Sequence, residues 1–360
     1  MGAYILKRLL LMIPTLLGVM LLTFMIIQFV PGGPIEQIIS QLENPEGGSR
    51  LDSGNENLNQ DSSEVISKYR GAQGLDPEFI KKLEVQFGFD KPAHERFLLM
   101  LWNYLRFDFG ESYFTSRPVV SLIAEKLPVS ASLGVWLMLI TYLVSVPLGI
   151  RKAVTDGSRF DIWTSGVIIV GYAIPNFILA IFLIVFFAGG SYWDWFPLRG
   201  LTSDNFASLS PLEKLFDYAW HLILPLTAIG VSSFATMTLL TKNSFLDEIK
   251  KQYVMTARAK GLSERRVLYG HVFRNAMLLV ISGFPGAFLG AFFSGALLIE
   301  QVFSLDGLGY LMFRAVEKRD YAVVFANLYI MTLIGLVIAL ISDLTYTWID
   351  PRIDFESREV

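Results

Sequence analysis

The chain has 360 residues and a formal net charge of −3, and its composition is 53% hydrophobic and only 18% charged. Ordinary globular domains carry roughly 25% charged residues, and the mean hydropathy here is +0.47. The chain has no cysteine, so disulfides and thiolate metal sites are excluded.

The charged residues are segregated along the chain in a way that excludes a soluble fold. Six windows of 20 residues or more contain no Asp, Glu, Lys, Arg or His. About 20 apolar residues make a helix that crosses the hydrocarbon core of a bilayer. The windows lack the alternation of a barrel strand, so we predict an all-α membrane protein with six transmembrane helices. The windows are Leu9–Ile35, Leu127–Ile150, Ile162–Trp193, Leu222–Thr241, Asn275–Ile299 and Tyr321–Ser342.

The loops between these windows predict the orientation, because Lys and Arg are retained on the cytoplasmic side of short loops. With the N-terminus inside, the cytoplasmic segments hold 15 Lys and Arg, whereas the short external loops 194–221 and 300–320 hold 5. Both termini are therefore predicted to be cytoplasmic. The first apolar run is longer than the core of a signal peptide, so residues 1–35 are interpreted as a retained N-terminal transmembrane helix.

Residues 36–126 are predicted to form a periplasmic segment with two different halves. The polar insert 41–74 is expected to be disordered, because it has too few apolar side chains to order itself. Asp76-Pro77 is a typical helix start and predicts a helix over Glu78–Phe87. The stretch 97–107 is rich in aromatic residues and is predicted to be an amphipathic helix. It would either lie flat in the headgroup region or dock on the rim of the bundle.

Residues 127–346 form the predicted core of five transmembrane helices, followed by a cytoplasmic tail at 347–360. Helix breakers lie inside several windows and predict bent helices that could line a path. They are Pro14, Pro147, Gly171 with Pro175-Asn176, Pro225 with Gly230, and Pro285.

The source of energy for any transport must lie outside this chain. The apolar windows contain no acidic or basic side chain, which disfavours proton or ion coupling. No G-x-x-x-x-G-K-[ST] motif occurs, so the chain is not expected to hydrolyse ATP. A partner would have to act through a cytoplasmic surface, and the loop 242–274 is the candidate of useful size.

That loop contains a predicted helix that ends at Lys260, with Gly261 after it at a position that requires a positive φ. Asp247 and Glu248 are assigned to the first turn of this helix, and a second short helix is predicted to start at Ser263-Glu264. Four small residues would let a partner approach closely: Thr256, Ala257, Ala259 and Gly261. A basic loop that only obeys the positive-inside rule remains the alternative.

The fifth window carries two ridges of small residues, which favour either close helix packing or an open face for a solute. One ridge is Gly283, Ala287, Ala291 and Gly295, and the other is Gly286, Gly290 and Ser294.

At the loop the sequence resembles a known family. The segments Tyr253–Ser263 and His271–Ala276 are similar to the EAA loop of binding-protein-dependent ABC importer permeases, in the oligopeptide and dipeptide branch. The resemblance covers about residues 1–355 without the insert 41–74. Further matching segments are Ile13–Leu16, Val30–Pro34, Phe87–Pro92, Arg106–Gly110, Ala173–Phe177 and Asp350–Arg352. At the usual Glu and Ala of the EAA pattern, this sequence has Met255 and Thr256.

The resemblance implies a type I ABC importer permease fold in the bacterial inner membrane. Similar proteins import oligopeptides and, in the subgroup that this chain resembles most, peptide–nucleotide antibiotics such as microcin C. The implied partners are a second homologous permease subunit, cytoplasmic ABC ATPase subunits, a periplasmic peptide-binding protein and the lipid bilayer, with no nucleic acid. The permease itself is implied to be non-catalytic and to bind no cofactor or metal, while ATP and Mg are used by the partner ATPase.

The resemblance also implies which residues function. The ATPase-coupling residues would be Tyr253, Thr256, Ala257, Arg258, Ala259, Lys260 and Gly261. The expected substrate pathway is Pro175, Asn176, Ser233, Gly283, Gly286, Gly290 and Ser294. The polar residues of the spans could equally serve as hydrogen-bond partners between helices. Two alternatives stay open: a permease for nickel or another small solute, and a channel that is not driven by ATP.

Overall fold

The computed structural model describes residues 2–29, 81, 90–190, 192–293 and 297–349. The insert 41–74, nearly all of the helix predicted over Glu78–Phe87, and the tail beyond residue 349 lie outside the described residues. Within these ranges the regular structure is helical, apart from one isolated β-bridge between Glu111 and Pro118.

Thirteen α-helices and two short irregular helices make up the described part of the chain. In chain order the α-helices are α1 Gly2–Phe29, α2 Ala93–Leu105, α3 Val119–Val154, α4 Arg159–Ala173, α5 Asn176–Phe187, α6 Pro211–Ile249, α7 Gln252–Ala259, α8 Glu264–Val267, α9 Phe273–Ser282, α10 Phe284–Phe293, α11 Leu297–Val302, α12 Leu308–Glu317 and α13 Tyr321–Ile349. A 3₁₀ turn covers Phe206–Ser208, and a π-helical turn, Leu268–Val272, joins α8 to α9.

Within the described residues, five helices are long and apolar enough to cross a bilayer. The number rises to six when α4 and α5 are counted as one span, in agreement with the six predicted spans. These two helices meet at a bend of 97°. The predicted breaker Pro175 is the N-cap of α5, because a proline has no N–H to continue α4.

The other breakers have smaller effects than the sequence predicts. Helices α1, α3 and α6 continue through Pro14, Pro147 and Pro225. In the fifth span the interruption is one residue, Gly283, which caps α9 two positions before Pro285. The small-residue ridge that starts at Gly283 is therefore not carried by one uninterrupted helix.

The chain divides into two compact units. The larger contains residues 126–310 with both ends of the chain. Its core has two clusters of buried apolar side chains, one around Leu133, Leu222 and Phe303 and one around Phe245, Val254 and Val280.

The smaller unit contains residues 9–125 and 311–333. Here the amphipathic helix α2 packs against α1 and α13 through ring contacts of Phe24 with Phe97 and of Tyr104 with Tyr329. Trp102 and Leu105, which follow on the same helix, are more than half exposed. Helix α2 thus docks with one face and leaves apolar side chains exposed on the other.

Candidate functional site: the cytoplasmic loop and the central cavity

The loop predicted to couple the chain to a partner begins with a break after α6. Helix α6 ends at Ile249, and Lys251 is the extended N-cap of α7. Asp247 and Glu248 therefore lie in the last turn of α6, and their assignment to the first turn of the loop helix is wrong. Leu246, Ile249, Tyr253 and Ala257 recur at helical spacing in the sequence, but such a pattern does not reveal a two-residue break between two helices.

Glu248 helps to hold the start of α7. Lys251 forms an ion pair with its carboxylate, and the Tyr253 hydroxyl donates a hydrogen bond to its Oε2 at 2.7 Å. Burial raises the pKa of Tyr253, so this hydroxyl stays protonated and remains a donor. Tyr253 is half-buried and fixes the orientation of the loop helix.

The inner face of α7 is packed into the protein itself. Val254 is fully buried and Ala257 is 6% exposed, and both belong to a cluster with Phe245 and Val267. The expectation that Ala257 offers a small surface to a partner is therefore wrong: its small size serves contact with the neighbouring helices. The remaining small residues, Thr256, Ala259 and Gly261, are exposed.

The outer face of α7 is open. Met255 is 62% exposed, and Thr256, Arg258, Ala259 and Lys260 are exposed as well. Gly261 has φ +79, as predicted from its position after the helix. This left-handed residue turns the chain toward Ser263, which is the N-cap of α8 as predicted.

An exposed ion pair closes the loop. The Arg258 guanidinium donates two hydrogen bonds to Glu264, from Nε at 2.9 Å and from Nη2 at 3.0 Å. Paired guanidinium–carboxylate contacts are geometrically specific. The loop is thus a short ordered helix with a buried inner face and an exposed outer face.

A cavity of about 590 Å³ lies among α3, α4, α5, α6, α9 and α10 in the larger unit. Its lining joins apolar side chains with uncharged polar ones, the latter including Thr141, Asn176, Ser232, Ser233 and Thr236. The Ser232 hydroxyl donates to Asn176 Oδ1 at 2.8 Å, so Asn176 serves helix packing as well as the cavity. The volume is in the range of small-molecule sites.

The structure brings together three of the residues predicted for the substrate pathway, Asn176, Ser233 and Gly283. Pro175 and Gly286 do not line this cavity. Gly290 lies on α10, and Ser294 is outside the described residues. Sequence reasoning missed Thr141, which lies on α3 in a charge-free window and had no signal beyond being a polar residue there.

Sequence reasoning also missed a buried charge cluster at the predicted cytoplasmic ends of α3, α4 and α6. Lys152 is fully buried, and its Nζ lies 2.9 Å from Asp161 Oδ1. Lys242 reaches the other oxygen of Asp161 at 2.7 Å and Asp156 at 2.9 Å. These residues lie just outside the apolar windows. The positive-inside rule already explained the lysines there, so nothing in the sequence pointed to a buried cluster.

The family model described as "Binding-protein-dependent transport system inner membrane component" matches residues 145–355. The chain is 65% identical, over 100% of both chains, to the peptidoglycan transport system permease protein YejB of Agrobacterium fabrum. It is 57% identical to the inner membrane ABC transporter permease protein YejB of Escherichia coli O157:H7, over 99% of this chain and 100% of that protein.

A more distant relative and a solved structure extend the comparison. The oligopeptide transport system permease protein AppB of Bacillus subtilis is 32% identical over 99% of this chain and 100% of its own length. The inward-facing MetNI methionine ABC transporter matches with a TM-score of 0.51 and 14% identity, covering 65% of this chain and 99% of that one. That likeness shows the fold, which is the type I importer permease fold that the resemblance implied.

These findings, together with the apolar helices, make the chain a multi-pass protein of the bacterial inner membrane. The family match covers more than half of the chain and is supported by full-length relatives. The chain belongs to the family of binding-protein-dependent transport system inner membrane components.

Proposed function

We propose that this chain is the pore-forming, non-catalytic subunit of an ATP-driven importer that moves peptides from the periplasm to the cytoplasm. Peptide substrates are supported by the names of the relatives, which describe peptidoglycan and oligopeptide transport. The cavity lining is uncharged and combines apolar side chains with hydroxyl and amide groups, which fits solutes rich in amide and carbonyl groups. Oligopeptides, including peptide–nucleotide conjugates such as microcin C, are the proposed substrate class.

The observation that carries the coupling role is the two-sided packing of α7. Its buried Val254 and Ala257 tie the helix to the bundle, while Thr256, Ala259 and Lys260 remain exposed. A force applied to the outer face would therefore reach the bundle without first unfolding the loop. In this proposal α7 seats in a groove of a cytoplasmic ATPase, which binds the ATP and Mg²⁺, and this chain binds no cofactor.

The proposed complex contains a second homologous permease subunit, ATPase subunits and a periplasmic peptide-binding protein. Both termini of this chain would be cytoplasmic. Closure of the ATPases would move α7, and the cavity would change its access from the periplasm to the cytoplasm. The bend at Pro175 and the interruption at Gly283 are the places where the spans would change direction.

The coupling role is tested with Ala259→Arg, which puts a long cation on the exposed face of α7. We expect normal membrane levels, loss of the co-purifying ATPase and at least a tenfold loss of peptide uptake, because Arg cannot enter a surface shaped for Ala. The measurements are immunoblots of membranes, subunit co-purification and uptake of a labelled tripeptide.

The matched control is Ala207→Arg, the same change at an exposed alanine in the loop predicted to be external. It should retain both the ATPase and uptake. Retention of the ATPase and of uptake by Ala259→Arg would overturn the coupling role. If the unaltered complex imports no peptide, the substrate assignment is wrong even where the ATPase remains bound.

A further inference from the structure

A second cavity, of about 530 Å³, lies between α6 and the loop before it, which is predicted to be external. Its volume is in the range of small-molecule sites. Its lining consists of polar and charged residues, in contrast to the mixed lining of the central cavity. They are Arg199, Thr202, Ser203, Asp204, Asn205 and His221.

The wall of this polar cavity is an ordered part of the fold. The Asp217 carboxylate of α6 accepts a hydrogen bond from the Ser203 N–H at 2.9 Å and another from the Ser203 hydroxyl. Gly200 has φ +77, and its N–H donates to the Phe303 carbonyl oxygen at 3.0 Å. The loop is therefore fixed on both sides of the residues that line the cavity.

His221 supplies a buried acceptor to the polar cavity. The residue is 6% exposed, and its Nδ1 lies 2.7 Å from the Asp217 carbonyl oxygen. A carbonyl oxygen only accepts, so Nδ1 carries the hydrogen and Nε2 of the neutral ring has the free lone pair. Nε2 has no hydrogen-bond partner among the described residues, and it is not one of the buried atoms that lack one. It therefore opens into the cavity that the ring lines.

Two opposite charges of the same lining are also available to a ligand. Arg199 and Asp204 are exposed, and within the described part of the chain neither side chain forms an ion pair or a hydrogen bond. The two charges thus lie in one cavity without neutralising each other. Thr202 and Asn205 add a hydroxyl and an amide that are equally free there.

These groups identify the kind of ligand. A guanidinium only donates hydrogen bonds and suits a carboxylate, whereas the Asp204 carboxylate and His221 Nε2 only accept and suit an ammonium group. Among the described residues no group of three His, Asp or Glu side chains could hold a metal ion. The complementary ligand is therefore an organic molecule that carries both an ammonium and a carboxylate group.

We infer that this polar cavity binds a small zwitterion, with its ammonium group at Asp204 and His221 and its carboxylate at Arg199. The identity of the zwitterion rests on the proposed function: it is a short peptide with two free termini. The cavity is then a second peptide site, with a lining that shares no residue with the central cavity.

The test measures equilibrium binding of a labelled tripeptide to the purified importer complex in detergent, without the periplasmic binding protein. The free tripeptide is compared with its N-acetyl form and its C-terminal amide. Asp204→Asn should weaken binding of the free tripeptide about fivefold and that of the N-acetyl form less than twofold, because the accessible ion pair exists only with the free ammonium group. His221→Asn, which lacks an atom at the place of Nε2, should discriminate between the two peptides in the same direction.

Arg199→Gln tests the other end of the ligand. It should weaken binding of the free tripeptide about fivefold and leave binding of the C-terminal amide within twofold. The matched control is Asp194→Asn, an exposed acid of the same loop that does not line the cavity. It should leave all three affinities unchanged. Equal losses for free and blocked peptides in Asp204→Asn and Arg199→Gln, or the same discrimination in Asp194→Asn, would overturn the site.

Two further outcomes separate this inference from the proposed function. Import of peptides by a complex in which Asp204→Asn and Arg199→Gln change no peptide affinity overturns the zwitterion site and leaves peptide import standing. If these variants lose import while keeping every peptide affinity, the residues contact the binding protein, and the zwitterion site is wrong. Absence of any peptide import by the unaltered complex overturns the proposed function.

Discussion

The buried carboxylate of Glu300 organises the turn before α12, and Gly307 leaves room for this carboxylate because it has no side chain. Glu300 is 1% exposed and accepts hydrogen bonds from the Ser130 hydroxyl at 2.8 Å and the Tyr310 N–H at 2.7 Å. The Ser130 oxygen in turn accepts from the Leu308 N–H. The carboxylate therefore joins α3, α11 and the start of α12, and the backbone at Gly307 lies against it.

Gly307→Ala is expected to destabilise this junction. The added Cβ would lie within 2.7 Å of Glu300 Oε2, and the buried, hydrogen-bonded carboxylate has no free space into which it could move. The cost should be about 2 kcal/mol in the free energy of unfolding, measured as a lower unfolding temperature of the purified complex. Gly335→Ala meets open space and should have no such effect; equal unfolding temperatures for the two variants would contradict the clash.

At this scale the sequence predicts what depends on neighbours in the chain. Gly261 was predicted to have a positive φ because helix ends favour one at that position, and Ser263 was predicted to start a helix from its own side-chain chemistry. The contact between Glu300 and Ser130 joins residues 170 positions apart. No local signal in the sequence indicates this contact, because Glu300 is simply a charged residue at the end of an apolar window.

Three helices of the larger unit are joined by the charge cluster around Asp161. The carboxylate lies between Lys152 of α3 and Lys242 of α6, and it belongs to the first turn of α4. The Lys152 ammonium also donates to Thr164 and Ser165 at 2.7 and 2.8 Å. The cluster therefore ties the three helices together.

Asp161→Asn should weaken this junction strongly. It removes the negative charge and leaves the fully buried Lys152 without its ion partner, which typically costs 3–5 kcal/mol. The unfolding temperature of the complex in detergent is the measurement. As a control, Arg117→Ala breaks an ion pair whose side chains are about half exposed and should change stability by less than about 1 kcal/mol; similar effects of the two changes would refute the burial argument.

Helix ends could be predicted from the sequence only where a single residue determines them locally. Pro175 predicted a break because proline acts locally, and the break is observed. The end of α6 at Ile249 was missed, since the apolar spacing from Leu246 to Ala257 continues through it. The burial of Ala257 was missed as well, because it depends on Phe245 and Val267 from other helices.

At the scale of the whole molecule, the membrane spans and their orientation depend on different features of the sequence. The spans were predicted well, because crossing a bilayer requires long charge-free segments that are visible in any sequence. The orientation depends on the distribution of Lys and Arg among loops. The chain contains no cysteine, so single cysteines can be introduced without removing any.

We expect a membrane-impermeant maleimide to label Ala207→Cys in intact spheroplasts and to label Ala259→Cys only after the membrane is opened. Both alanines are exposed, so a difference in labelling reports the side of the membrane. Labelling of Ala259→Cys in intact spheroplasts would show that α7 lies outside the cytoplasm. That result would contradict both the predicted topology and the binding of an ATPase at α7.

The length of α6 has a mechanical consequence. Its 39 residues are helical without interruption from the capping box at Ser210 to Ile249, and a rise of 1.5 Å per residue gives a rod of about 58 Å. Such a rod extends well past both faces of a hydrocarbon layer roughly 30 Å thick. One continuous helix therefore crosses the layer, and a displacement of α7 would act on its end through only two residues, Lys250 and Lys251.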